Sequence, residues 1–160
     1  MPTHIFSVLC ENEPGMMMRI CRSFMRRQVN IDSITVGIEP SGLARIILMF
    51  NSDERTAEFL RRVLLRLTQV IDVEKLAEKT SIVREIALLK TKQLSEEERG
   101  RVLEEIEKVG GRILQVAGKA LIAEVYGDHE RIEKLIHTLG SGVLKEVARS
   151  GQVIISKTME

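Results

Sequence analysis

The order in which strand-like and helix-like patterns follow one another constrains the fold of this chain more than any single motif. Four strands are indicated by alternating or continuous apolar residues. They cover residues 3–11, 31–38, 43–50 and 70–76. Two helices, with apolar residues three and four positions apart, cover residues 16–27 and a segment from about Asp53. This βαββαβ order is typical of two helices packed on one face of a four-stranded antiparallel sheet.

The same order is indicated a second time after the polar segment 77–81, which has the composition of a linker. The first helix of this repeat opens with Ser95 and Glu98, the residue pair of a capping box. The two helices are predicted from Ser95 to Gly110 and from Asp128 to Gly140. The strands are predicted at 82–92, 112–117, 120–126, 143–148 and 152–156.

The sequence therefore predicts an α+β fold of two ferredoxin-like βαββαβ domains in tandem, at residues 1–78 and 82–160. One face of each sheet is left without helices. Leu43, Ile47 and Met49 are expected on that face of the first sheet. Apolar residues on a face that no helix covers favour oligomerisation.

Charge and aromatic content exclude several classes of partner. The net charge is +1 and aromatic residues make up 3% of the chain, with no Trp. Nucleic acids are bound through basic surfaces and stacking platforms, so no nucleic acid is expected as a partner. No apolar window approaches the ~18 residues of a membrane span, and residues 1–10 lack the pattern of a secretion signal. We expect a cytoplasmic protein that enters no membrane and whose cysteines, Cys10 and Cys21, are small buried residues.

No constellation of residues for catalysis or metal binding is found in the sequence. His129 and His137 lie eight residues apart on one predicted helix, too far to hold one metal, and a solvated helix face is expected there. One alternative keeps an enzyme open, namely a small hydrolase of acyl phosphates on a ferredoxin-like domain. Such an enzyme needs an arginine and an asparagine around the phosphate, and Arg19 and Asn12 could supply them.

The segment with the most distinctive chemistry joins the first strand to the first helix. Asn12, Pro14 and Gly15 precede this helix, and Asn30 follows it at the start of the second strand. Free N–H groups at a helix N-terminus hold carboxylates, and an asparagine side chain both donates and accepts. These groups suit a zwitterion with one carboxylate and one ammonium. The structural alternative is that Asn12 caps the helix and that Pro14 and Gly15 form only a turn.

Three consecutive methionines open the first helix. Met is a good helix former and fills gaps in cores, which explains most of the run. Three neighbouring residues of a helix cannot all face the core, so one of them is expected to face a partner or a ligand. Met16, at the start of the helix, is the candidate.

Five stretches of the chain resemble known proteins. SVLCENEPG at 7–15, RI at 19–20 and NIDSITV at 30–36 resemble an ACT domain, a small regulatory module that binds amino acids. VREIALLK at 83–90 and EVARSG at 146–151 narrow the resemblance to the small, regulatory subunits of acetolactate synthase, also called acetohydroxyacid synthase. The resemblance covers nearly the whole chain.

The resemblance implies a subunit with no catalytic centre and no cofactor of its own. It implies binding to a catalytic large subunit, which carries thiamine diphosphate, Mg and FAD, and activation of that subunit. It also implies feedback inhibition by valine or a related branched-chain amino acid. An ACT-type subunit of another amino-acid enzyme remains an alternative.

In this family the effector lies between the two ACT domains of a homodimer. The motif assigns Asn12 and Gly15 to one chain and Asn30 and Ile31 to the other, with Met16 and Ile31 as apolar neighbours of the isopropyl group. The effector-binding residues implied by the resemblance are Asn12, Pro14, Gly15, Met16, Asn30 and Ile31.

The chain departs from the family pattern just before the second strand. The family often has a glycine there, where a positive φ can be required, whereas this chain has Arg27, Gln28 and Val29. We therefore expect the first helix to end differently, which affects the position of Asn30.

Overall fold

Strands and helices follow one another in the order expected from the sequence. A computed structural model describes residues 1–159. The first half contains β1 (Thr3–Cys10), α1 (Met16–Met25), β2 (Ser33–Ile38), β3 (Ala44–Asn51), α2 (Glu54–Leu65) and β4 (Val70–Leu76). A 3₁₀ turn, Glu78–Thr80, occupies the predicted linker. The second half contains β5 (Ser81–Thr91), α3 (Glu96–Lys108), β6 (Arg112–Ala117), β7 (Ala120–Gly127), α4 (His129–Val143), β8 (Leu144–Arg149) and β9 (Val153–Ser156).

The first sheet has the strand order β2-β3-β1-β4, and all its pairs are antiparallel. Apolar residues of β1 and β3 on one face form a core with α1 and α2. Phe6 and Phe24 both meet the ring of Phe50 edge to face, with ring centroids 4.9 Å apart. Ile47 lies opposite Ser7 and Thr35 in register, on the other face, as expected. This order leaves β2 at an edge of the sheet.

The second sheet repeats this order as β6-β7-β5-β8, so both halves have the predicted ferredoxin-like topology. Its core contains α3 and α4 packed on one face. The capping box is confirmed, because the Ser95 hydroxyl accepts from the Glu98 N–H while the Glu98 carboxylate accepts from the Ser95 N–H. Gly140, the predicted end of the last helix, breaks α4 with φ 66° and ψ 175°.

The structure contains two compact units. One unit is Met1–Ile82 with the segment from Gln152 onward, and the other is Val83–Gly151. β9 pairs with β5, whose first two residues belong to the same unit as β9. The Lys157 N–H donates to the carbonyl of Thr80 at 2.9 Å. The segment after Gly151 therefore adds β9 to the second sheet beside β5, a long-range pairing that local patterns do not reveal.

The turn after α1 contains a residue with positive φ, at a position where similar sequences often have a glycine. Gln28 has φ 54° and is the one non-glycine residue with positive φ in the described chain. Its N–H donates to Met25 O at 3.0 Å, and the Val29 N–H donates to Phe24 O at 3.2 Å. This pair of bonds is a Schellman motif with Gln28 in the left-handed position. Val29 then packs against the core, so the helix ends where a glycine would end it.

Replacement of Gln28 by glycine is expected to stabilise the first unit by roughly 1 kcal/mol, because glycine adopts a left-handed conformation without a Cβ penalty. Urea denaturation followed by circular dichroism measures the change. Gln28→Ala is the matched control, since alanine keeps the Cβ and should bring no such gain. Equal effects of the two substitutions would show that the φ of Gln28 carries no strain.

Candidate functional site

The N-terminus of α1 has no side-chain cap. Gly15 occupies the N-cap position in a left-handed conformation, with φ 85° and ψ −2°. Within residues 1–159 the Asn12 side chain makes no hydrogen bond, and the N–H groups of Gly15, Met17 and Met18 have no acceptor. The structural alternative for Asn12, a helix cap, is therefore wrong. The helix begins with unpaired donors instead.

The surroundings of Gly15 are open. A Cβ placed on Gly15 would meet no atom within 4 Å, and Asn12, Pro14 and Gly15 are all exposed. The first turn of α1 contains no acidic residue. Unpaired N–H groups and the positive end of the helix dipole together make this a place that can hold a carboxylate.

Met16 does not face outward as expected. It is 5% exposed and belongs to the core of the first unit, together with Ile20 and Phe24 on the same helix face. Met18 is the exposed member of the run, at 64%. The reason is the phase of α1, whose core-facing stripe begins at its first residue. The assignment of Met16 to effector binding stays a prediction, and the expectation that it faces a partner is wrong for the single chain.

Asn30 belongs to a small polar network at the other end of α1. Its Nδ2 donates to Asp32 Oδ1 at 3.0 Å, and Asn51 Nδ2 donates to Asp32 Oδ2 at 2.7 Å. Asn51 in turn accepts from the Thr3 hydroxyl at 2.8 Å. The Asp32 carboxylate and the unused Asn30 carbonyl oxygen are both at the surface. Sequence reasoning missed Asp32, although its position two residues after Asn30 is typical of such local pairs.

The edge strand β2 continues from this network and is unusually apolar for an exposed edge. Ile34, Val36 and Ile38 are 37%, 47% and 59% exposed. They lie opposite core residues of β3 in register, so they share the helix-bearing face of the sheet. Ile31, just before the strand, is half-buried against the core.

A single chain keeps the two groups of predicted site residues apart. Asn12, Pro14 and Gly15 lie before α1, whereas Asn30 and Ile31 follow it. The helix has 10 residues, and at a rise of 1.5 Å per residue such a helix is about 15 Å long. One small ligand cannot contact both helix ends of the same chain.

A second polar cluster, in the unit Val83–Gly151, was missed by sequence reasoning. The Glu85 side chain is 2% exposed, and its carboxylate accepts from the Arg149 guanidinium. His129 Nδ1 lies 3.0 Å from Glu85 Oε2 and 3.0 Å from Arg149 Nη2. Arg149 also donates to Glu133 at 2.6 Å. Burial raises the pKa of Glu85, but the hydrogen bonds from Arg149 and His129 outweigh burial and hold that pKa below its ordinary value. His129 therefore lies beside a buried ion pair, whereas His137 is exposed on the solvated face expected for this helix.

Arg19 and Cys10 both have hydrogen-bond partners within the described chain. Arg19, which a hydrolase would direct at a phosphate, donates to Gln69 Oε1 at 2.6 Å. Cys10 is buried, and burial raises the pKa of its thiol. No set of three or more His, Cys, Asp or Glu residues in the described chain is placed to hold a metal ion. None of the helices of residues 1–159 is long and apolar enough to cross a bilayer.

Two family models match the chain, one to each half. A model described as the AHAS small subunit-like ACT domain matches residues 6–75. A model described as the small subunit of acetolactate synthase matches residues 84–158. The first half of the chain is therefore an ACT domain.

Whole-chain relatives agree with both models. The probable acetolactate synthase small subunit of Methanothermobacter thermautotrophicus is 36% identical over 97% of this chain and 93% of its own length. The acetolactate synthase small subunit of Mycolicibacterium smegmatis is 31% identical over 98% of this chain and 92% of its own. The crystal structure of the Thermotoga maritima acetolactate synthase small subunit superposes with a TM-score of 0.87 at 30% identity, covering 100% of both chains. The chain belongs to the acetolactate synthase small-subunit family.

Proposed function

We propose that this chain is a regulatory subunit that activates the catalytic subunit of acetolactate synthase and makes it sensitive to feedback inhibition by valine or a related branched-chain amino acid. Catalysis and its cofactors belong to the partner. The observation that carries the proposal is the uncapped start of α1, where the N–H groups of Gly15, Met17 and Met18 have no acceptor in the described chain and the surroundings of Gly15 are open. This feature lies in an ACT domain of the acetolactate synthase small-subunit type.

The carboxylate of the amino acid would bind at the start of α1. The N–H groups of Gly15, Met17 and Met18 can donate to it without losing another partner. A hydrogen bond to a charged acceptor contributes about 1.5–3 kcal/mol. Asn12, exposed and without a hydrogen bond in the described chain, is placed in the same loop and can donate from its amide.

The ammonium group would be held by the network around Asn30 of a second chain. The Asn30 carbonyl oxygen is free to accept, because only its Nδ2 is used, and the Asp32 carboxylate supplies the opposite charge. The two asparagine donors on Asp32 fix the orientation of that carboxylate. The two halves of the site thus have the complementary charges that a zwitterion needs.

Two chains would meet through their β2 edges. An edge strand offers unpaired N–H and C=O groups to a second strand, and the exposed Ile34, Val36 and Ile38 give that edge apolar side chains to bury. Pairing at this edge would bring the residues before α1 of one chain close to the residues after α1 of the other, and so complete the site. The effector then acts by favouring the chain arrangement in which the composite site is formed.

The effector can shift that equilibrium only by its differential affinity for the two arrangements. Couplings between sites are typically about 1–3 kcal/mol. A site built from two chains supplies such a difference, because it exists only in one relative orientation.

An acetolactate-forming assay tests the proposal. A catalytic subunit of acetolactate synthase is measured alone, with this chain, and with this chain plus L-valine, L-leucine or L-isoleucine. The chain is expected to raise the activity, and at least one of the amino acids to reverse the rise. Absence of both effects, with this chain folded, would reject the proposed function. Effects on a different amino-acid enzyme would support the alternative of an ACT-type subunit for that enzyme.

A further inference from the structure

Arginine supplies nearly all the cationic side chains of the ACT domain. The first 74 residues contain nine arginines and no lysine, and the first lysine is Lys75. Lysine is the usual residue of a merely soluble surface, whereas arginine is enriched in protein interfaces because its planar guanidinium binds carboxylates through two parallel hydrogen bonds. The choice of arginine throughout suggests recognition rather than solubility.

Both helices of the ACT domain turn arginine and apolar side chains away from their core. On α2 the core-facing residues are Ala57, Leu60 and Leu64, and the opposite side carries Arg55, Phe59 and Arg66. On α1 the opposite side carries Met18, Arg22 and Met25. We call these six residues the arginine face. They are Met18, Arg22, Met25, Arg55, Phe59 and Arg66, all exposed.

The arginines of α1 and α2 outnumber the carboxylates of the same two segments. Residues 16–28 contain four arginines and no acidic residue, and residues 54–66 contain four arginines and two glutamates. Glu58 pairs with Arg61 and Arg62, and Glu54 pairs with Lys75. In the described chain, Arg22 and Arg55 have no carboxylate within 4.0 Å.

The apolar members of the face are large and accessible. Met18 is 64% exposed, Met25 is 68% exposed and Phe59 is 40% exposed. The Arg27 guanidinium lies 3.6 Å above the centre of the Phe59 ring, which joins the end of α1 to the middle of α2. Each of the two helices therefore presents exposed arginine beside exposed methionine or phenylalanine, a composition typical of interface cores.

We propose that the arginine face is the surface by which this chain docks onto the catalytic subunit, against a patch of aspartate and glutamate carboxylates there. The inference rests on the proposed function and adds the place and the chemistry of the contact. A second copy of the chain is disfavoured, because two arginine faces meeting in a two-fold dimer would repel each other. A nucleic acid is disfavoured, because Met18, Met25 and Phe59 would remain exposed beside a phosphate backbone.

Charge reversal on the face tests the inference. Arg22→Glu combined with Arg55→Glu changes one exposed residue on each helix and removes no ion pair of the described chain. The matched control is Arg101→Glu combined with Lys134→Glu, two exposed positions on α3 and α4 with the same change in net charge. Binding of each full-length variant to the purified catalytic subunit is measured by surface plasmon resonance, and activation by the acetolactate assay.

The face variant is expected to bind about tenfold more weakly or worse at physiological ionic strength, and the control within about twofold of the original chain. Wild-type binding should weaken as salt is added. Equal binding by the face variant and the original chain would overturn the docking surface while leaving the proposed function intact. Failure of the original chain to bind or activate the catalytic subunit would overturn both.

Two further results would reassign the face. The sedimentation coefficient of the chain alone should be the same for the original chain and the charge-reversed variant. If the charge reversal instead dissociates a dimer, the arginine face is a contact between copies of the chain. Duplex DNA or tRNA should not bind to the original chain at physiological salt. If the original chain binds a nucleic acid and the charge-reversed variant does not, the arginine face is a polyanion site and the inference is wrong.

Discussion

Gly15→Asp is expected to weaken binding of L-valine about a hundredfold, a loss of roughly 2.8 kcal/mol. Aspartate would place a fixed carboxylate in front of the N–H groups of Gly15, Met17 and Met18, where the carboxylate of the effector is proposed to bind. The open space around Gly15 means that the side chain itself meets no atom within 4 Å. Isothermal titration calorimetry of the purified chain measures the loss, and the acetolactate assay should show that feedback inhibition disappears.

Gly42→Asp provides the matched control. Gly42 has the same φ of 85° and the same open surroundings, but lies in the turn between β2 and β3. Both substitutions put an aspartate in a left-handed conformation, at a cost of about 1 kcal/mol, and both change the charge equally. Gly42→Asp should bind L-valine like the original chain. Equal losses in the two variants would trace the effect to stability or net charge and reject the site.

A mixture of two defective variants distinguishes a composite site from a site within one chain. Asn12→Ala and Asn30→Ala should each weaken binding. In a mixed dimer, one site combines the intact Asn12 of one chain with the intact Asn30 of the other. After equal mixing and subunit exchange, roughly one quarter of the sites should regain full affinity, as the symmetry of a two-fold dimer requires. A site confined to one chain would regain none.

The parts of the structure that follow local patterns could be predicted from the sequence. The periods of apolar residues gave both βαββαβ orders, because each helix and strand must bury one face. The Ser95 capping box depends on residues three apart and was likewise visible. The start of α1 was identified as a candidate anion site, because Asn12, Pro14 and Gly15 are neighbours in the chain.

The parts that depend on distant partners could not be predicted. Glu85 and Arg149 are 64 residues apart, and only the pairing of β5 with β8 brings them together. The buried position of Met16 follows from the rotation of α1 on its sheet, which three consecutive methionines leave ambiguous. The pairing of β9 with β5 likewise has no local signal, because the two strands are far apart in the sequence.

The Glu85–Arg149 pair gives the largest expected effect on stability. Arg149→Met should destabilise the unit Val83–Gly151 by roughly 3 kcal/mol at neutral pH, because removal of one partner leaves a buried carboxylate without its main compensation. Glu133→Gln is the matched control. It removes the other carboxylate that contacts Arg149, but the Glu133 side chain is 55% exposed, so the loss should stay below about 1 kcal/mol.

The fluorescence of Tyr126 makes this unit observable on its own. The chain has no tryptophan and one tyrosine, and Tyr126 lies on β7 within Val83–Gly151. Thermal unfolding followed by tyrosine fluorescence therefore reports on the unit that contains the pair. For a unit of this size, a loss of 3 kcal/mol should lower its midpoint by roughly 12–24 °C.

The dependence on pH identifies the ion pair as the cause. In the original chain the folded-state pKa of Glu85 is depressed by Arg149 and His129 against the effect of burial. The pair therefore stabilises above the ordinary glutamate pKa of about 4.3, and that contribution is lost as pH falls through the folded-state value. In Arg149→Met, Glu85 is still buried but has lost its main hydrogen-bond donor, so burial is expected to raise the pKa of Glu85. A raised folded-state pKa means that the variant loses stability as pH rises. The difference between the two proteins should be largest at neutral pH and shrink below about pH 4. A difference that stays constant with pH would instead assign the role of Arg149 to packing of its aliphatic chain.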